Sequence, residues 1–282
     1  MPKVRLILGC GYLGSALLDQ LAPTPGRIIV TSRSAQRLAA LTASGRAEGL
    51  VLETATLGPA QLASVREGGD AVEAWCLFTP SALAEISVRE RLFTALDALP
   101  LERAVLVSST GIYGAAAGGE VSAETLPHLS GPREQGLADI EQSWRHLPGA
   151  CIVRMAGLYG PGRVIGTSMV REGRVIPGRA SAWLNLIHQR DAADLLLTVA
   201  ASTQAASVEV GSDGKPMRRH EYYGVLADLL GAPAPRFESQ DEGDAGKRVN
   251  PASSWRRLAW CPRFTSYREG LRDALGLPAI SQ

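Results

Sequence analysis

The chain has 282 residues, 45% of them hydrophobic, with 29 basic and 28 acidic side chains for a net charge of +1. That length supports one large or two small domains with a real core, and the balanced charge leaves no basic stripe for nucleic acid. No apolar run reaches the ~20 residues of a membrane span, and the longest, Ala192 to Ala201, is interrupted by Asp194.

From Met1 the chain runs directly into Val4-Arg5-Leu6-Ile7-Leu8. This short apolar run reads as a buried strand and leaves no room for a signal peptide's apolar region. It breaks into Gly9-Cys10-Gly11-Tyr12-Leu13-Gly14, and Ser15 to Leu21 then has helical spacing. Strand, Gly-x-Gly-x-x-Gly and helix in that order form a dinucleotide-binding pattern. Gly9 permits the tight turn, Gly11 lets a pyrophosphate approach the backbone, and Gly14 lets the helix pack close to the strand. The helix N-terminus offers free N–H groups to the phosphates. Cys10, Tyr12 and Leu13 are expected to line the same cofactor. Arg27 to Thr31 reads as the second strand and ends in Thr31-Ser32-Arg33-Ser34. An NAD-preferring enzyme carries an acidic residue there for the ribose 2′-hydroxyl. Ser32 and Arg33, with Arg37 one turn further on, suit a 2′-phosphate instead. NADP is therefore the expected cofactor, with NAD the alternative; the plain reading is a solvated arginine at a helix start.

The pattern then repeats. Helices are expected over 34–44, 59–66 and 81–99, and strands over 50–52, 71–78 and 103–107. Strands alternating with helices imply right-handed crossovers and an α/β, Rossmann-type doubly wound parallel sheet. Ligands bind beyond the carboxyl ends of such strands. Thr79 and Ser108 fall at two of these ends and Ala156 at a third, after a sixth strand over 150–155; all three are expected to touch the cofactor. Further on, 191–201 reads as a helix, 207–210 as a strand rejoining the sheet, and 231–246 as a charged, Pro/Gly-rich loop. Cys10, Cys76, Cys151 and Cys261 show neither metal-ligand nor disulfide spacing, so no metal site is expected and a cytoplasmic location is.

Several stretches in a fixed order resemble the extended short-chain dehydrogenase/reductase superfamily, in its NAD(P)-dependent epimerase/dehydratase branch. They are Ser108-Ser109-Thr110-Gly111-Ile112-Tyr113-Gly114, Arg154-Met155-Ala156-Gly157-Leu158-Tyr159-Gly160-Pro161-Gly162-Arg163, Leu186-Ile187-His188-Gln189-Arg190-Asp191 and, near the end, Tyr267-Arg268-Glu269-Gly270-Leu271. The resemblance spans essentially the whole chain. It implies a dinucleotide-binding domain over 1–160, to whose sheet 189–211 returns, and a smaller, mainly substrate-binding C-terminal lobe over 161–282. It also implies hydride transfer on a hydroxyl or carbonyl of a sugar, nucleotide sugar or related metabolite.

The family carries Tyr-x-x-x-Lys on a helix after the serine that Ser109 matches. A tyrosine hydroxyl, with a pKa of about 10, needs such a lysine to work as a base at neutral pH. The pair is missing here: aligned on Glu141, the two positions fall near Arg133 and Leu137. Ser109 remains as the holder of the substrate oxygen. Glu134, beside the vacated tyrosine position, and then His128 are the candidates for a substitute base; the plain reading of both is solvated charge. Gly157 also replaces an asparagine that the family often carries. His188 reads as a structural histidine before an acidic helix start, with acid–base work the sharper alternative. A second function remains open, a non-catalytic NADP(H)-binding sensor on the same fold.

Overall fold

A computed structural model of the protein describes residues 3–67, 71–115, 118–241, 243 and 245–278. The chain opens with β1 (Lys3–Leu8), α1 (Tyr12–Leu21), β2 (Arg27–Ser32), α2 (Ala35–Thr42), β3 (Glu48–Val51) and β4 (Ala71–Cys76). Then follow α3 (Ile86–Asp97), β5 (Leu101–Ser109), a short β6 (Glu120–Val121), α4 (Pro132–Trp144) and β7 (Ala150–Met155). β8 (Gly157–Tyr159), α5 (Thr167–Arg171), β9 (Ile176–Arg179), β10 (Trp183–Leu184) and β11 (Leu186–His188) precede α6 (Gln189–Ala201) and β12 (Val208–Gly211). The last elements are β13 (Met217–Arg218), α7 (Arg219–Leu230), β14 (Phe237–Ser239), β15 (Arg248–Val249), α8 (Ala252–Leu258) and α9 (Tyr267–Ala274).

Seven strands form one sheet in the order β12-β7-β5-β4-β1-β2-β3. The pairings from β3 through β2, β1 and β4 to β5 are all parallel. This is the doubly wound Rossmann-type sheet that the strand–helix alternation predicts. Leu6, Ile7 and Leu8 of β1 are all fully buried, because a central parallel strand is covered on both faces. The strand order reverses between β1 and β4, and ligands of such sheets bind in the crevice at that point.

Contacts divide the chain into two compact units. The first, Met1–Ile112, Leu129–Arg154 and Ala193–Glu209, holds nearly all of the large sheet. Its core packs Leu6, Leu8, Leu92, Leu96, Leu106 and Trp144. The second unit, Tyr113–His128, Met155–Ala192 and Val210–Gln282, is built on small two-stranded pairings. Tyr159, Leu186, Tyr222, Tyr223, Leu226 and Leu271 form its core.

Several elements depart from expectation for identifiable reasons. The helix expected over 59–66 is a 3₁₀ turn; its buried residues, Leu62 and Val65, are three apart, the spacing at which a 3₁₀ turn stacks side chains. The helix expected over 81–99 is broken. A 3₁₀ turn over Pro80–Leu83 is separated from α3 by an extended Glu85. Arg89 Nη1 donates to the carbonyls of Leu83 at 2.9 Å and Ala84 at 2.7 Å, satisfying the backbone at the break. The fourth strand stops at Cys76 rather than Phe78, and the fifth runs on to include Ser108 and Ser109. The expected loop over 231–246 contains β14, which pairs with β9; residues 242 and 244 of it lie outside the described residues. No helix among the described residues is long and apolar enough to cross a membrane.

Candidate functional site

The turn between β1 and α1 is held by β2. The Gly9 N–H donates to Thr31 Oγ1 at 2.9 Å, and the Cys10 N–H donates to the Thr31 carbonyl at 2.7 Å. Gly9 has a φ of +79°, and a β-carbon there would stand 2.7 Å from the Phe78 ring. Gly11 caps α1 with no side chain, and its β-carbon would meet nothing closer than the Gly9 carbonyl at 3.8 Å. Its outer face is open to a ligand. At Gly14 a β-carbon would press on Cys10 Sγ at 3.1 Å and Leu77 at 3.2 Å, so glycine sets how closely α1 lies on the sheet. Leu13 is buried as well. Cys10 is buried too, and burial pushes its thiol up to about 11. It is therefore a packing group in this turn and no thiolate.

Beyond the ends of β1, β2 and β4 lies a cleft of about 580 Å³. Gly9, Cys10 and Gly11 form one side; Ser32, Arg33 and Arg37 form another; Phe78 and Thr79 contribute from the end of β4. Among the described residues its lining holds two arginines and no carboxylate. Local hydrogen bonds fix the rim. Ser34 Oγ accepts the Arg37 N–H at 3.2 Å and starts α2, while Ser32 Oγ accepts the Ser34 N–H at 3.2 Å. Arg37 Nε donates to the Cys10 carbonyl at 2.9 Å and Nη2 to Ser15 Oγ at 3.2 Å, which lays the guanidinium over the glycine turn. Arg33 is exposed at the same rim.

A second cluster sits at the end of β5. The Ser108 hydroxyl points inward and donates to Glu141 Oε1 at 2.7 Å. Glu141 in turn pairs with Arg154 at 2.8 Å, both side chains 3% exposed. The hydrogen of Ser108 is thereby committed to Glu141. Ser109 is half-buried, and its Oγ accepts the Gly111 N–H at 3.0 Å. Of the two positions at which the family resemblance expects a tyrosine and a lysine, Arg133 is exposed in the first turn of α4 and Leu137 is buried in the core. Glu134 is half-buried; its Oε2 lies back over Gly131, 3.2 Å from where a β-carbon on that residue would stand. Its carboxylate is therefore turned to the start of its own helix.

His128 and Ala156 belong to the second unit, His128 exposed and Ala156 buried with its N–H on the Gly211 carbonyl at 2.8 Å. His188 is fully buried there, between Tyr159 and Phe264, whose ring centroids lie 5.3 and 4.0 Å away. Its Nδ1 accepts the Arg190 N–H at 3.3 Å. Nε2 is 3.2 Å from Asp273 Oδ2 but misaligned for a hydrogen bond. Burial pushes the imidazole down to about 4, so the ring is neutral and packs as an aromatic. Sequence reasoning did not find the Glu141–Arg154 pair or the approach of Arg133 to Gly111, because neither follows a motif spacing.

No family model matches the chain. Uncharacterized proteins of Mycobacterium tuberculosis and Mycobacterium bovis are 29% identical to it over 249 residues, covering 76% of this chain. The chain spans 63% of the length of these curated relatives. Among solved structures, a conserved protein of unknown function from Silicibacter pomeroyi superposes with a TM-score of 0.79 at 24% identity, covering 98% of this chain and 99% of the other. A Methylobacillus flagellatus protein described as an NAD-dependent epimerase/dehydratase gives a TM-score of 0.80 at 24% identity, with 98% of each chain covered. The UDP-N-acetylglucosamine 4-epimerase of Methanobrevibacter ruminantium, solved with UDP-N-acetylmuramic acid, gives 0.77 at 16% identity over 98% of this chain and 97% of the other. The fold of this chain is the fold of these proteins.

Proposed function

We propose that the chain is an atypical extended short-chain dehydrogenase/reductase that binds NADP(H) and acts by hydride transfer on a hydroxyl or carbonyl of a sugar, nucleotide sugar or related metabolite. One observation carries the cofactor reading. The cleft at the switch point of the sheet joins the glycine turn to Arg33 and Arg37 and has no carboxylate in its lining. A ribose 2′-hydroxyl calls for an acceptor there, a 2′-phosphate for cations. The open face of Gly11 and the N-terminus of α1 receive the pyrophosphate, and Thr79 borders it from β4. When bound, the nicotinamide supplies or accepts the hydride.

The chain's own residues do the rest. Ser109 holds the substrate oxygen, and the second unit supplies the substrate lobe. The nucleotide-sugar class rests on neighbours named for UDP-sugars. Neither Arg133 nor Leu137 relays a proton: a guanidinium stays protonated in proteins, and an aliphatic chain has no proton to give. Glu134 would have to leave the start of α4 to serve as base, and His128 is the other titratable candidate.

Fluorescence titration with NADPH and NADH tests the reading. One charge-assisted hydrogen bond is worth roughly 1.5–3 kcal/mol, so Arg33→Ala should cost on the order of ten- to a hundred-fold in NADPH affinity. NADH affinity should stay within about two-fold. Equal losses for both cofactors overturn the 2′-phosphate assignment. The buried Leu137 at the lysine position favours one other reading, a non-catalytic NADP(H) sensor. Tight NADPH binding without turnover on a broad substrate panel would select it.

A further inference from the structure

Ser109, Gly111 and Arg133 all lie in the first unit, and the reading above gives Arg133 no role. Ser109 Oγ spends an acceptor site on the Gly111 N–H, which leaves its own hydrogen to donate outward. A β-carbon on Gly111 would stand 3.1 Å from Ser109 Oγ and 3.3 Å from Arg133 Nη2. The two side chains thus flank one point above a residue that has no side chain. Gly111 is not among the left-handed glycines, so its turn does not demand glycine, and a β-carbon there would stand in the space between the two donors.

Both groups donate, and one is permanently cationic. The guanidinium fork matches a carboxylate or a phosphate and no neutral oxygen as well. No acid of the protein neutralises it among the described residues. Glu134, its neighbour, folds back over Gly131, and Asp139 accepts from Gln135 at 2.8 Å.

We propose that Ser109 and Arg133 form a clamp for an anionic group, carboxylate or phosphate, carried by the substrate beside its reacting carbon. The proposal rests on the reading of Ser109 as the holder of the substrate oxygen. It makes Arg133 a specificity residue: the chain takes an acidic or phosphorylated metabolite where a tyrosine–lysine enzyme takes a neutral hydroxyl.

The test uses the full chain with saturating NADPH, titrated calorimetrically with D-glucuronate, glucose 6-phosphate and the neutral D-glucuronamide. One or both charged probes should bind on the order of ten- to a hundred-fold more tightly than the amide, and the stronger of the two names the anion. Arg133→Gln should erase that preference, Arg133→Lys should retain part of it, and NADPH affinity should be unchanged in both. Arg133 is exposed, so neither variant threatens folding. No preference for charge, or no binding of any probe, overturns the clamp while NADPH binding leaves the underlying reading standing. A matching loss of NADPH affinity in Arg133→Gln also overturns it, by assigning Arg133 to the cofactor. Failure of the wild type to bind NADPH removes both readings together.

Discussion

Two glycines of the same turn should respond to alanine in opposite ways, and the contrast isolates ligand binding from folding. At Gly11 φ is −90°, outside the left-handed region that favours glycine, and a β-carbon would touch nothing closer than 3.8 Å. Gly11→Ala should therefore leave the melting temperature within about 2 °C, since a sound site tolerates Gly→Ala at well under 1 kcal/mol. The added methyl instead occupies the space through which a pyrophosphate reaches the backbone. Losing one charge-assisted N–H contact to a phosphate should weaken NADPH on the order of ten- to a hundred-fold. At Gly9 the φ of +79° and a contact of 2.7 Å to the Phe78 ring strain any side chain. The left-handed backbone alone costs roughly 1–2 kcal/mol, which for a protein of this size lowers the melting temperature by roughly 2–8 °C. Thermal melts of both variants, paired with NADPH titration by fluorescence, check the pair. Unchanged NADPH affinity in a folded Gly11→Ala protein would refute the assignment of this turn to a dinucleotide.

Three further outcomes follow from packing and charge. Gly270→Ala would drive a β-carbon into the fully buried Tyr159 hydroxyl; overpacking of this kind costs about 1–3 kcal/mol. Urea denaturation should show that loss and a partial rescue by Tyr159→Phe, and wild-type stability in the single variant would contradict the contact. Arg154→Met should destabilise by about 3–5 kcal/mol because it strands the buried Glu141 charge, whereas the double variant with Glu141→Leu should recover much of the loss by the same measurement. His188, pushed down to about 4 by burial, binds its proton more weakly folded than unfolded. Its contribution is thus complete above pH ~6.5 and lost as the pH falls towards 4, so His188→Phe should flatten stability against pH across that window. An unchanged slope would show that the ring titrates normally.

The parts of this molecule that were legible in the sequence are those fixed by neighbours along the chain. Gly9, Gly11 and Gly14 announce the turn because strand, turn and helix are contiguous, and the absence of a carboxylate after β2 is visible within four residues. The strand–helix alternation gives the sheet for the same reason. What escaped depends on contacts far apart in sequence. The break before α3 is stabilised by Arg89 reaching back to two carbonyls, so apolar spacing alone ran one helix through it. Ser108 looks like a strand-end hydroxyl ready for a ligand until Glu141, 33 residues later, takes its hydrogen. In the sequence Arg133 is only the residue near the expected tyrosine position; the fold sets its guanidinium beside Gly111.

The buried pair fixes α4 from its C-terminal half. Glu141 lies two turns beyond Arg133, and its carboxylate joins α4 to β5 through Ser108 and to β7 through Arg154. Trp144, one turn further, donates from its indole to the Ala104 carbonyl of β5 at 3.1 Å. These anchors lie in the C-terminal half of the helix and depend on nothing at 133 or 137. The first turn of α4 is therefore free to vary in chemistry while its backbone stays fixed beside the end of β5. Fold likeness to epimerases and dehydratases therefore fixes where this turn lies and does not carry their chemistry over to it.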